Sequence, residues 1–230
     1  MIKRYFYFIL LYFTLFYFIL LIFCLSCANR NGHLLSFNLP DYNYDYHTLN
    51  KSINTENIYI LNKTNIQTES GFKTENLENV QDFFKRKLDN NVTFDYLLKD
   101  SNNNLLLKTV FPYEISDSDL KILESSTNFD FIILSKIEYL EYLDKKNLSK
   151  NNNARLISAL AGAVATVKII DLKNKEVFLE MSCTASVNDA NYHFEEALDN
   201  QNPVISTIPV YKKSISLGEK AMKKLLRKIK

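Results

Sequence analysis

Residues 129–142, FDFIILSKIEYLEY, decide the fold. Phe131–Leu134 is apolar at every position, the pattern of a strand covered on both faces. A second stretch, VATVKIIDLKNKEVFLEMSCTASV at 164–187, holds two β-rich runs about a polar break. Asp171-Leu172-Lys173-Asn174-Lys175 reads as a hairpin turn with Asn174 at positive φ, and Glu176–Val187 as the partner strand. Just upstream, Ala159–Ala163 suits strand or helix equally. Working outward, Asn57–Asn62 reads as a short strand. A helix is predicted after Thr74 as N-cap, with Leu77, Val80, Phe84 and Leu88 on one face. Val92–Leu98 alternates like another strand, and 99–115 is a loop containing Pro112. Ser116-Asp117-Ser118-Asp119 resembles a capping box for a helix to about Ser126. After a polar break at Asp144–Asn153, residues 188–212 look irregular, with Pro203 and Pro209. The last helix, boxed by Ser216 and Glu219, lines Met222, Leu225, Leu226 and Ile229 on one face. The mixture predicts an α/β fold: a mixed β-sheet flanked by helices, in a two- or three-layer sandwich.

The 230 residues are 47% apolar and carry 28 Lys plus Arg against 26 Asp plus Glu. That composition excludes a disordered chain and fits one medium domain with an appended segment. Without Lys3 and Arg4 the balance is 26 basic to 26 acidic groups, so the chain exerts no general pull on nucleic acid. Those two cations precede YFYFILLYFTLFYFILLIF at 5–23, 19 residues without a charge that hold 10 of the 30 aromatics. A positive start, an apolar stretch and then Leu25-Ser26-Cys27-Ala28 make the pattern of a secretory leader. The last four resemble the lipobox of bacterial lipoproteins, in which the peptidase cuts before the cysteine to be acylated. The box is a relaxed one, because Cys24 stands where leucine is usual. Bulky Phe23 disfavours cleavage before Cys24, so Cys27 is the candidate lipidation site.

A rival reading is an uncleaved anchor, since 19 apolar residues span about 28 Å, close to a bilayer core. Both readings place everything after residue 28 outside the cytoplasm. The expected organisation is a signal peptide at 1–26, a flexible tether at 27–54 and one α/β domain at 55–230. Within that tether Asp41, Asp45 and His47 sit among tyrosines. They read as solvated linker residues rather than metal ligands.

A resemblance follows from three segments: FDFIILSKI, VATVKIIDLKNKEVFLE and ISLGEKAMKKLLRKI. Together they are similar to the periplasmic domain shared by curli-secretion-channel lipoproteins and by lipoprotein activators of penicillin-binding proteins. Only 129–182 carries specificity, and the family often has Gly where Ser135 and Lys175 stand here. The resemblance implies a mixed sheet flanked by helices, a lipid anchor, no cofactor and a protein partner, either a peptidoglycan synthase or an export complex. Its channel branch implies a ring or pore. Membrane strands need about 9–11 alternating residues, however, and ISALAGAVATVKII does not alternate.

Chemistry is sparse in the sequence. Four glycines leave no GxGxxG and no GxxxxGK, and no histidine accompanies a Gly-x-Ser-x-Gly elbow. His33 lies in the tether, and His193 stands beside Glu195 and Glu196 without a ligand set around it. Glu138 and Glu141, three apart on a strand, point to opposite faces. Asp171 is expected to bond its own turn. Cys183, the one cysteine outside the leader, reads as a buried small hydrophobe. The last helix sets Lys220, Lys223, Lys224, Arg227, Lys228 and Lys230 opposite its apolar stripe, a solvated face or a surface for anionic lipid or an acidic partner.

No catalytic, cofactor-binding or metal site emerges. The sequence therefore predicts a non-enzymatic envelope lipoprotein, held to a membrane by lipid, that binds another envelope protein through the loops at 99–115, 143–153 and 188–212. The alternatives are an oligomeric outer-membrane assembly or channel component, and a surface-exposed ligand binder.

Overall fold

The computed structural model describes residues 11–17, 34–49, 52–94, 99–100, 102–105, 110–143, 156, 159–188, 207–210 and 212–230. The chain divides into two compact units, Met1–Leu39 with Asp189–Tyr211, and Pro40–Asn188 with Lys212–Lys230. In the first unit residues 11–17 are helical, and β1 (Leu34–Phe37) pairs in parallel with β10 (Thr207–Val210).

The second unit carries the mixed sheet. Its strands are β2 (Asp41–Tyr46), β3 (Tyr59–Leu61), β4 (Thr64–Thr68), β5 (Gly71–Glu75), β6 (Val92–Thr93), β7 (Phe131–Tyr139), β8 (Ala159–Asp171) and β9 (Glu176–Asn188). They run in the order β2-β9-β8-β7-β3-β6, with β4 continuing along β7 and paired to β5. β3, β4 and β6 join in parallel, while β7, β8, β9 and β2 are antiparallel neighbours. Helices α1 (Glu78–Leu88) and α3 (Ser214–Leu226) cover one face of this sheet, and α2 (Asp117–Ser126) covers part of the other. This is the predicted α/β architecture in its three-layer form.

β7 owes its central place to Ile132, Ile133 and Leu134, all fully buried between the two helical layers. Beside it, β3 and β4 form one interrupted strand. Ile60 and Leu61 face Ile132 and Ile133, whereas Asn65 faces Lys136, so the β3–β4 side holds one extra residue. Buried Asn62 sits at that bulge. Its amide donates to the Phe111 carbonyl at 2.6 Å and accepts from the Phe111 N–H at 3.1 Å, so a side chain stands in for a strand partner. Asp171 bonds its own turn as expected, accepting from the Lys173 and Asn174 amides at 2.9 and 3.0 Å. The positive φ falls one residue later than predicted, on Lys175 at 57°.

Several local expectations need correction. Asp41–Tyr46, within the expected tether at 27–54, is an edge strand bonded to β9, because Tyr42 and Tyr44 pack on the core beneath α3. Thr74 lies in β5, and α1 starts after Leu77, which provides no side-chain cap. Ser116 does cap α2, accepting from the Asp119 N–H. α3 begins two residues before Ser216. Its first residue, buried Ser214, accepts from the Gly162 amide at 3.1 Å and donates to Glu141 at 2.6 Å. Ala159–Ala163 resolves as strand, since small side chains there let α3 lie close. A Cβ on Gly218 would stand 2.6 Å from Ile137 Cγ2, so the helix approaches to backbone contact. Residues 207–210, in the stretch expected to be irregular, form β10.

Candidate functional site

The face of the sheet turned away from α3 changes character along its length. Toward one end it is apolar: Ile132, Leu134, Ile170 and Leu172 pack with Phe111, Leu120 and Leu123. Beyond that cluster the register brings one polar residue from each of five strands into a single row. Asn65 faces Lys136, Lys136 faces Thr166, Thr166 faces Ser182 and Ser182 faces Asp45. Cross-strand neighbours of this kind lie close enough to act together. Asn65, Thr166 and Ser182 are buried, and the Asn65 Nδ2 has no hydrogen-bond partner among the described residues. A buried donor left in that state favours any acceptor brought to it.

Where the polar row meets the apolar end stands Tyr113. The Lys136 and Lys168 ammonium groups lie 4.6 and 4.2 Å from its ring centroid. Its hydroxyl donates to Glu180 Oε1 at 2.7 Å. Lys168 donates to Glu114 at 3.0 Å and lies 3.7 Å from Glu180, and Lys136 pairs with Glu138 at 3.1 Å. Burial, and then the Glu180 carboxylate, raise the Tyr113 hydroxyl far above its ordinary value, so it stays a neutral donor. Asn62 on one side and Glu180 on the other thus fix the loop that carries Phe111 and Tyr113. Glu114 projects from that fixed loop with 77% of its side chain exposed.

The remaining sequence-flagged residues separate. Cys183 is buried on the α3 side, and burial pushes its thiol up to about 12, consistent with a packing role. His47 continues the edge strand, its N–H bonded to the Glu180 carbonyl at 2.9 Å and its Nε2 3.1 Å from Ser182 Oγ. Ser182 lies mid-strand rather than on the sharp turn that exposes a nucleophile. Glu141 holds Ser214 while Glu138 holds Lys136, so the two carboxylates do not converge. Among the described residues no group of three or more His, Cys, Asp or Glu is placed to hold a metal, Asp41, Asp45 and His47 included. No helix among them is long and apolar enough to cross a membrane. Cys27, His33, and His193 with Glu195 and Glu196 lie outside the described residues, as do 95–98 and 144–153.

The polar row was missed in the sequence reading because it exists only through the register of five strands. A usable signal was the alternation Asp41-Tyr42-Asn43-Tyr44-Asp45-Tyr46, with tyrosines counted as the core side.

No family model matches the chain, and no curated protein matches it. Among solved structures, the PelC dodecamer from Paraburkholderia phytofirmans is 10% identical at a TM-score of 0.39, covering 83% of this chain and 98% of that one. A leucine-to-methionine variant of the same dodecamer is 8% identical at a TM-score of 0.37, with the same coverage.

Proposed function

We propose that this chain is a non-enzymatic binding module of the cell envelope, exported by its leader, acylated at Cys27 and held to a membrane while its α/β part docks on another envelope protein. The observation that supports the binding role is the loop that Asn62 and Glu180 fix beside the polar row, a loop that holds Glu114 in place with 77% of its side chain exposed. Recognition uses polar groups held rigidly on a scaffold, and here the ionisable groups around Tyr113 are engaged in holding that scaffold. The anchoring role rests on Lys3-Arg4, the apolar run at 5–23 and Leu25-Ser26-Cys27. The α/β part begins near Pro40.

In-cell crosslinking of the tagged full-length chain, followed by mass spectrometry, tests the reading. One envelope protein, a peptidoglycan synthase or an export component, is expected to be enriched over a Cys27→Ala control. A Glu114→Ala variant with an unchanged circular-dichroism spectrum is expected to weaken that capture. Capture unaffected by the variant would move recognition off this loop. A ladder of self-crosslinks alone would replace the reading with an oligomeric assembly.

A further inference from the structure

α3 has two stripes of different chemistry. Leu217, Gly218, Ala221, Met222, Leu225 and Leu226 are buried against the sheet. The opposite side exposes Lys220, Lys223, Lys224, Arg227 and Lys228 with Lys230 just beyond, and between Lys212 and Lys230 the only acid is Glu219. A helix face that is merely solvated usually mixes both signs. Lys212 lies beside Lys220, and the closeness of the two like charges pushes the Lys220 ammonium below its ordinary value. At one flank Lys224 and Lys228 lean over the Tyr42 and Tyr44 rings, at 4.0 and 5.0 Å from their centroids. The ion pairs among the described residues lie elsewhere, on Lys73, Lys136, Lys168 and Lys175.

α1 packs in the same layer and ends in Lys85, Arg86 and Lys87, but Glu78, Asp82 and Asp89 balance those charges. On the other side of the sheet α2 exposes Asp117 and Lys121, buries Asp119 and pairs Glu124 with Lys175. The strongest field of one sign therefore lies over α3, and it is positive. An anionic surface would attract that side more than the other.

We propose that the exposed cationic stripe of α3 lies on the anionic headgroups of a phospholipid bilayer. Two arguments favour lipid over a protein as the occupant. Lysine is depleted at protein–protein interfaces, where aromatic residues dominate, whereas lysine clusters suit an anionic lipid surface, at about fivefold in affinity per basic residue. A chain held at a membrane also meets that surface at high effective concentration, so weak charge attraction suffices. The second argument rests on the anchoring reading given above; the first does not.

The test reconstitutes the full-length chain into vesicles of phosphatidylcholine alone, or of phosphatidylcholine with phosphatidylglycerol, and maps lysine acetylation by mass spectrometry. Acetylation of Lys220 and Lys223 is expected to fall severalfold only on the anionic vesicles and to recover in high salt. Lys121 on α2 and Lys175 in the hairpin turn should react alike on both. Lys220→Gln/Lys223→Gln/Arg227→Gln, which spares the two lysines over the tyrosines, should keep the fold and lose the difference in bound fraction between the two vesicle types. Equal acetylation on both vesicle types would overturn the proposal. So would protection that needs added envelope extract rather than phosphatidylglycerol, which would assign the stripe to an acidic protein. Flotation with the neutral vesicles reads anchoring separately: a chain that fails to float there breaks the anchoring reading without deciding the role of α3.

Discussion

Two rows of the sheet, one residue apart on every strand, are opposites. Asn65, Lys136, Thr166, Ser182 and Asp45 form one row; Ile66, Ile137, Ala165, Cys183 and Tyr44 form the next. The second row joins the core under α1 and α3, while the first borders the smaller apolar cluster of the other face at Tyr113. Since successive strand residues point to opposite faces, a single register sorts both rows at once. Shape decides the apolar row: small residues at Ala165 and Cys183 admit a close helix, while Ile66 and Ile137 fill the space beside it. Hydrogen bonding decides the polar row, where volume counts for less than the partners each side chain can reach. The same backbone thus solves a packing problem on one side and a hydrogen-bonding problem on the other.

The largest expected contrast lies between neighbours on β7. Ile137→Ala removes a fully buried side chain from the apolar row and is expected to cost about 2–5 kcal/mol. Lys136→Ala, one residue away, loses a partly buried pair with Glu138, each side chain 20% exposed, together with its place over the Tyr113 ring, and is expected to cost about 1–2 kcal/mol, between an exposed pair and a buried one. Urea denaturation of both variants reads the difference. Equal losses would mean that the polar row is as much a part of the core as the apolar one.

Gly218 probes how tightly shape is set on the apolar side. Alanine is the better helix former by about 1 kcal/mol. Its Cβ, however, would meet Ile137 Cγ2 at 2.6 Å and Tyr139 Cε1 at 2.8 Å, and overpacking of that kind costs about 1–3 kcal/mol. Gly218→Ala is therefore expected to lower the melting temperature despite the gain in propensity. A rise would show that α3 has room to move outward, and with it that the apolar row tolerates looser packing than its alanines imply.

These contrasts also mark where the sequence was readable. Phe131–Leu134 announced a strand covered on both faces because burial there is uninterrupted, and the α2 cap was legible because Ser116 and Asp119 are local to each other. Local signals misled where a tertiary contact competed. Ser216 and Glu219 imitate a capping box, yet Ser214 opens α3 because Gly162 and Glu141 are there to bond it. Asn174 favours positive φ, but its amide and side chain are engaged by Asp171, and Lys175 takes that conformation instead. The polar row was beyond reach for a different reason. It needs the bulge at Asn62, the hairpin of β8 and β9 and the docking of β2, and no window of the chain contains all three.

The last effect is confined to alkaline pH and concerns Cys183, the one ionisable thiol in the apolar row. Burial raises it from an ordinary 9.0 to about 12, because the thiolate would lie among Tyr44, Ala165 and the underside of α3 with little solvation. A group raised on folding contributes stability that is complete below its unfolded value and lost as pH rises toward its folded one. Stability attributable to the neutral thiol should then hold up to pH 9 and decline from there toward pH 12. Tyr59, Tyr113 and Tyr139 are raised by burial as well, so the whole protein weakens in strong alkali, and only a difference isolates the cysteine. Cys183→Ala shares the tyrosines and lacks the thiol. The gap in unfolding free energy between wild type and variant should be constant below pH 9 and should shift against wild type above it. A gap that stays flat through alkaline pH would mean that the thiolate is solvated where it stands, and that the apolar row opens beneath α3.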